Sequence, residues 1–134
     1  MAGLEGKRIL ICEDEGVTHV CLQYAADRAG MGIVGSAVTG DEAVTVALRE
    51  RPDIILMDIR MPGIDGIEAT RQILAEHPAC VVMLTAYADE EHQEAAFEAG
   101  ASGYLVKPIS VDALGPALVE ALDFHADRML AANR

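Results

Sequence analysis

The chain has 134 residues, 51% of them hydrophobic, with 10 Lys and Arg against 22 Asp and Glu, a formal net charge of −12. That length suits one domain with a single good core, and the apolar content excludes disorder. The charge argues against a domain that grips nucleic acid, because phosphate contacts need clustered Lys and Arg, and no apolar run approaches the ~20 residues that span a bilayer.

The N-terminal residues Met1 to Arg8 lack the apolar segment of a signal peptide, so a cytoplasmic protein without membrane association is expected. Cys12, Cys21 and Cys80 form no CxxC pair and are read as reduced and structural. His19, His77, His92 and His125 show no metal-ligand spacing.

Strand and helix patterns alternate five times. The first strand runs from about Arg8 to Cys12. The first helix, about Val17 to Ala29, offers Val20, Leu22, Tyr24 and Ala25 for packing and stops near Gly30. The second strand, Ile33 to Ala37, is the weakest and is expected at an edge. The second helix follows Thr39-Gly40-Asp41 and runs to about Glu50, with Asp41 placed to cap it. Pro52 ends that helix, and the third strand covers Ile54 to Met57. Gly63 and Gly66 bracket a loop before a third helix, about Gly66 to Glu76, whose apolar face includes Ile67, Ile73 and Leu74.

The fourth strand is Cys80 to Leu84, and the fourth helix runs from about Asp89 to Ala99 with Gly100 as its stop. The fifth strand is Gly103 to Val106. The fifth helix starts at the potential N-cap Ser110 and carries Leu114, Leu118, Ala121, Leu122, His125 and Met129 at helical spacing, with Pro116 in its first turns. Its apolar pattern continues to Leu130, either as a frayed tail or as a helix leading to a partner or second domain. Strands that are apolar throughout imply burial on both faces. The expected class is therefore α/β, a three-layer sandwich with five helices covering a five-stranded parallel sheet.

Four of these strands end on polar residues. Glu13 and Asp14 follow Cys12, Asp58 follows Met57, Thr85 follows Leu84, and Lys107 follows Val106. In a parallel sheet those ends share one edge, where distant residues converge into one site. Three acids beside one Lys leave excess negative charge, which a hard divalent cation resolves; Mg²⁺ prefers one or two carboxylates plus water and phosphate oxygens. An open Mg²⁺ site is expected at Asp14 and Asp58, with Glu13 acting directly or through water and the Arg60 backbone carbonyl helping. An ionised Asp58 beside Mg²⁺ is a nucleophile suited to phosphoryl transfer. Lys107 and Thr85 are the groups suited to holding phosphoryl oxygens. The acidic run Asp89-Glu90-Glu91 is read as solvation and helix-dipole complement, with a surface for a basic partner as the sharper alternative.

The segments Ile11-Cys12-Glu13-Asp14-Glu15, Leu56 through Gly66, Leu84-Thr85-Ala86-Tyr87 and Gly103 through Pro108 occur in an order that resembles the receiver domain of two-component response regulators. The likeness covers about Lys7 to Asp123. It implies a flavodoxin-like sheet in order 2-1-3-4-5, with residues 1–6 as a tail, 7–124 as the receiver and 125–134 extending the last helix. It implies that Asp58 is phosphorylated by the phosphohistidine of a sensor histidine kinase or phosphotransfer protein, with Mg²⁺ or Mn²⁺ as cofactor. On this resemblance the chain is not an enzyme but a phosphoacceptor that assists its own phosphorylation and dephosphorylation.

The resemblance further implies a cis bond before Pro108 that aims Lys107 into the pocket. It implies a switch in which Thr85 moves toward the phosphoryl group and the Tyr104 ring turns inward, changing the face of helix four, strand five and helix five. A plain edge-strand aromatic is the other reading of Tyr104. The sequence leaves the oligomeric state open, with a homodimer through that face as one candidate form. Arg60 and Tyr87, two positions beyond Asp58 and Thr85, line the path of the hydrolytic water, and their bulk predicts slow dephosphorylation. Leu84-Thr85-Ala86-Tyr87 and the long fifth helix also resemble receivers joined to RNA-binding antiterminator domains. The alternatives are such a longer regulator, a phosphate-independent interaction module, or a haloacid dehalogenase-type phosphatase, whose usual second acid is replaced by Arg60.

Overall fold

The computed structural model describes residues 3–86 and 88–132. Tyr87, one of the two residues expected to tune dephosphorylation, lies outside the described residues. The elements alternate as β1 (Arg8–Cys12), α1 (Gly16–Arg28), β2 (Gly32–Ala37), α2 (Gly40–Glu50), β3 (Ile54–Asp58), α3 (Gly66–Leu74), β4 (Cys80–Thr85), α4 (Glu90–Glu98), β5 (Gly103–Val106) and α5 (Val111–Ala132). The strands form one parallel sheet in the order β2-β1-β3-β4-β5.

Side chains alternate across the sheet and build two cores. Leu10, Ile55, Met57, Val81 and Met83 point to the side covered by α2, α3 and α4, where Val46, Ile73 and Ala96 meet them. Ile9, Ile11, Ile54, Leu56 and Leu84 point to the side covered by α1 and α5, where Leu22, Leu114 and Leu118 meet them. Every residue of β3 and β4 is buried, whereas β2 is largely exposed and forms an edge. Each large aliphatic side chain so buried contributes about 1.5–3 kcal/mol.

Several local expectations shift. Asp41 does not cap α2; the Thr39 hydroxyl accepts from the Glu42 amide at 3.0 Å, and Asp41 instead accepts from the Ile64 amide at 3.3 Å, tying α2 to the β3–α3 loop. Val20 and Tyr24 lie one helical turn apart on the outer face of α1, exposed by 64% and 53%, while Leu22, Ala25 and Ala26 face the sheet. Cys12 and Cys80 are buried, but Cys21 shares the exposed face of α1. Strands β3 and β4 each run one residue further than their apolar runs, because Asp58 pairs with Leu84 and Thr85 with Val106. Helix α3 stops at Leu74, two residues short of the expected Glu76. The Ser110 hydroxyl accepts from the Ala113 amide at 3.1 Å and starts α5, which continues through the exposed Pro116.

The loop after β3 is held close to the strand. The Gly66 amide donates to the Ile59 carbonyl at 2.8 Å, and a Cβ on Gly66 would lie 2.1 Å from the Asp58 carbonyl oxygen. Only glycine permits that approach without moving backbone. Gly66→Ala should therefore lower stability by about 1–3 kcal/mol, the usual penalty for overpacking. Urea unfolding read by circular dichroism checks this.

Candidate functional site

At the C-terminal edge of the sheet a cavity of 310 Å³ is lined by Glu13, Asp14, Glu15, Asp58, Arg60, Ala86 and Lys107. Each acid arrives from a different constraint. Asp58 is the last residue of β3, 4% exposed, and cannot leave the sheet without unpairing from Leu84. Glu13 follows β1 and is 1% exposed, its Oε1 accepting from the Glu15 amide at 3.1 Å. Asp14 points outward and is exposed, yet its carboxylate oxygen lies within 4.8 Å of oxygens from Glu13 and Asp58.

Lys107 binds the group together. Its Nζ stands 2.7 Å from Glu13 Oε2 and donates to Asp58 Oδ2 at 3.0 Å. The Lys107–Pro108 bond is cis, and the Lys107 amide donates to the Thr85 carbonyl at 2.7 Å. Thr85, at the end of β4, is buried at 1% exposure, and its side chain is hydrogen-bonded to the half-buried Tyr104. The Arg60 amide donates to Asp58 Oδ1 at 3.0 Å, while the Arg60 side chain lies exposed at the cavity rim. All of Glu13, Asp14, Asp58, Arg60, Thr85 and Lys107 thus gather at one edge.

Electrostatics follows from that crowding. Burial pushes the Glu13 carboxyl above the ordinary glutamate range; contacts with Lys107 and the Glu15 amide oppose the rise, and the Asp58 charge adds to it. Burial acts to lower the Lys107 ammonium, but its bonds to Glu13 and Asp58 outweigh burial and hold it above the ordinary lysine range. Burial likewise raises the Tyr104 phenol, with the Thr85 contact partly offsetting it. Three hard oxygen donors with more negative charge than one ammonium neutralises are the donor set that suits Mg²⁺.

A family model described as the response regulator receiver domain matches residues 9–119. The chain belongs to that family. The receiver is 42% identical over 112 residues to the transcriptional regulatory protein PdtaR of Mycobacterium tuberculosis, a match covering 84% of this chain and 55% of that protein. It is 40% identical over 103 residues to the transcriptional regulatory protein ResD of Bacillus subtilis, covering 77% and 42% respectively. The chain thus spans about half the length of the curated relatives it matches.

Among solved structures, the signal receiver domain of a modulated diguanylate cyclase from Desulfovibrio desulfuricans G20 superposes with a TM-score of 0.83 at 29% identity, covering 92% of this chain and 99% of that one. The receiver domain of a sensor histidine kinase from Pseudomonas aeruginosa PAO1, solved with a magnesium ion in its active-site cleft, gives 0.79 at 34% identity over 88% and 98%. Receivers are phosphoacceptors of two-component systems, and their acidic pocket binds Mg²⁺. Among the described residues no helix is long and apolar enough to cross a membrane.

Two features of the site escaped the sequence. His19 Nδ1 lies 2.8 Å from the Glu13 carbonyl, fixing the turn that presents the acids. Beside Lys107, a cavity of 220 Å³ runs between α1 and the β5–α5 loop, lined by Val17, Cys21, Pro108, Ile109 and Val111 among others. Val17, an apolar residue at the start of the first helix that was not among its expected packing residues, was the available signal.

Because the folded state holds Glu13 above its unfolded pKa, the native protein binds more protons than the unfolded chain. Stability therefore falls as pH rises through that interval. Glu13→Gln should raise the melting midpoint of metal-free protein at neutral pH, by about 4 °C for each kcal/mol gained in a domain of this size. The gain should vanish below about pH 4, where the carboxyl is protonated in both states. Thermal melts across pH, with and without Mg²⁺, check both signs.

Proposed function

We propose that Asp58 accepts a phosphoryl group from the phosphohistidine of a sensor histidine kinase or phosphotransfer protein, in the cytoplasm. The observation that carries this reading is the contact of Lys107 with both Asp58 and Glu13 inside one open acidic cavity. An Asp58 oxygen forms a bond to phosphorus as the donor's N–P bond breaks, and the electron pair stays on the departing imidazole nitrogen. Glu13, Asp14 and Asp58, helped by the Arg60 carbonyl, would hold Mg²⁺ or Mn²⁺, which offsets charge on the phosphoryl oxygens. Lys107 binds one of those oxygens and Thr85 hydrogen-bonds another. The exposed apolar groove beside Lys107 supports a protein as phosphodonor, since Val17 at 77% exposure gives such a donor an apolar anchor next to the cavity.

The same residues carry a switch. In the state described, Thr85 is engaged with Tyr104. A phosphoryl group on Asp58 competes for the Thr85 hydroxyl, so it favours a state in which that contact is released and Tyr104 turns inward. Phosphorylation acts only through such differential binding, and moving a population from ~1% to ~99% takes ~5.5 kcal/mol. The face of α4, β5 and α5 then reports the state of Asp58. Arg60 and Tyr87 slow the return by obstructing the hydrolytic water.

Acetyl phosphate with Mg²⁺ should add ~80 Da, one phosphoryl group, and Asp58→Asn should abolish the adduct. Intact-protein mass spectrometry decides, and a phosphate-independent module would show no adduct. Arg60→Ala should shorten the phospho-Asp58 half-life; unchanged decay in both Arg60→Ala and Tyr87→Ala would remove the role given to these side chains.

A further inference from the structure

A second cavity, of 460 Å³, lies on the α4–β5–α5 face, remote from the acids of the site. Tyr104 and Leu105 line its floor, Phe97 of α4 and Phe124 of α5 line its flanks, and Glu120 stands at its rim. The two phenyl rings meet edge to face, their centroids 6.5 Å apart, and remain 38% and 45% exposed. Aromatic rings left half open to water around a groove are the usual anchor pockets of protein recognition.

The charge around the groove selects the occupant. From Ala88 to Ala132 the chain carries nine acids, Asp89, Glu90, Glu91, Glu94, Glu98, Asp112, Glu120, Asp123 and Asp127, against only Lys107 and Arg128. Neither cation is available to a partner. Lys107 is held by Glu13 and Asp58, and Arg128 is turned inward, donating to the Ala101 carbonyl at 3.0 Å with its guanidinium 5.3 Å from the Phe124 ring centre. Among the described residues no Lys or Arg pairs with Glu90, Glu94, Glu98 or Glu120.

A two-fold dimer would set this patch against itself. Carboxylates would then face carboxylates with no cation between them, an arrangement that rejects a partner. We infer that this face takes a Lys- or Arg-rich amphipathic helix of a protein partner, its apolar side seated between Phe97 and Phe124, and not a second copy of the chain. Helix-in-groove recognition suits an apolar trough with charged rims. The same field repels RNA and DNA. The inference rests on the switch reading above only in making this face the output; it names the chemistry of what the output binds.

The probes are a fluorescein-labelled amphipathic helix of Leu and Lys and its counterpart with Glu at every Lys, titrated by anisotropy against the full chain. The Lys helix should bind, more weakly as salt rises, and the Glu helix should not. Phe97→Ala and the pair Glu94→Lys/Glu120→Lys, all at exposed positions, should each weaken binding by about tenfold or more. The pair Glu5→Lys/Asp27→Lys, which removes equal charge away from the groove, should leave affinity within about twofold. Equal loss in both charge-reversed proteins would reduce the effect to net charge and overturn the assignment. So would no binding, or a concentration-dependent dimer in sedimentation that Phe97→Ala dissociates. Binding by Asp58→Asn protein would uphold the face independently, so a failed phosphoacceptor and a failed docking surface give different results.

Discussion

The ammonium of Lys107 lies between two buried carboxylates that would otherwise repel each other. Glu13 comes from the end of β1, Asp58 from β3 and Lys107 from beyond β5, so one charge-assisted contact joins strands far apart in the sequence. Removing Lys107 would leave two carboxylate charges uncompensated out of water, which is far costlier than removing a surface ion pair, whereas removing the Glu13 charge leaves the Lys107–Asp58 pair balanced. The cluster is nevertheless left net negative. That imbalance is what makes the pocket receptive to a divalent cation, and it is a local cost to the fold maintained by the two hydrophobic layers around it.

Much of this was legible because the physics is local. Apolar runs buried on both faces of a parallel sheet are easy to see, and so is the change to Glu13-Asp14, Asp58, Thr85 and Lys107 where each run stops. Register then brings those ends together with no further information. Details set by competition between neighbours were less legible. Thr39 and Asp41 are both good caps, and the choice depended on the β3–α3 loop offering Asp41 the Ile64 amide instead. Val20 and Tyr24 look like packing residues in one dimension, but the face of α1 that meets the sheet is decided by Leu22, Ala25 and Ala26. Grooves were invisible, since Phe97 and Phe124 are 27 positions apart and meet only through the geometry of α4 and α5.

The two faces of the molecule divide the labour. Around α1 and the β5–α5 loop the surface beside the acids is apolar, and around α4 and α5 it is acidic with aromatic anchors. Thr85 and Tyr104 lie between them, the Thr85 side chain bonded to Tyr104 at the end of β4 and Tyr104 lining the groove. In the switch proposed above, a change in which neighbour Thr85 prefers would change the shape of a surface on the far side of β5.

The strand order also orders events during synthesis. β1 and β3 must pair across about a whole β-α-β-α passage before the acids are neighbours, and Lys107 arrives only once β5 docks on the edge next to β4. Non-local parallel pairing of this kind forms late and slowly. A nascent or truncated chain that has gathered its carboxylates but lacks β5 holds them without their counter-ion. Neutralisation of the cluster therefore waits for β5, the last strand of this sheet to be synthesised, and the acidic pocket carries the full repulsion of its carboxylates until then.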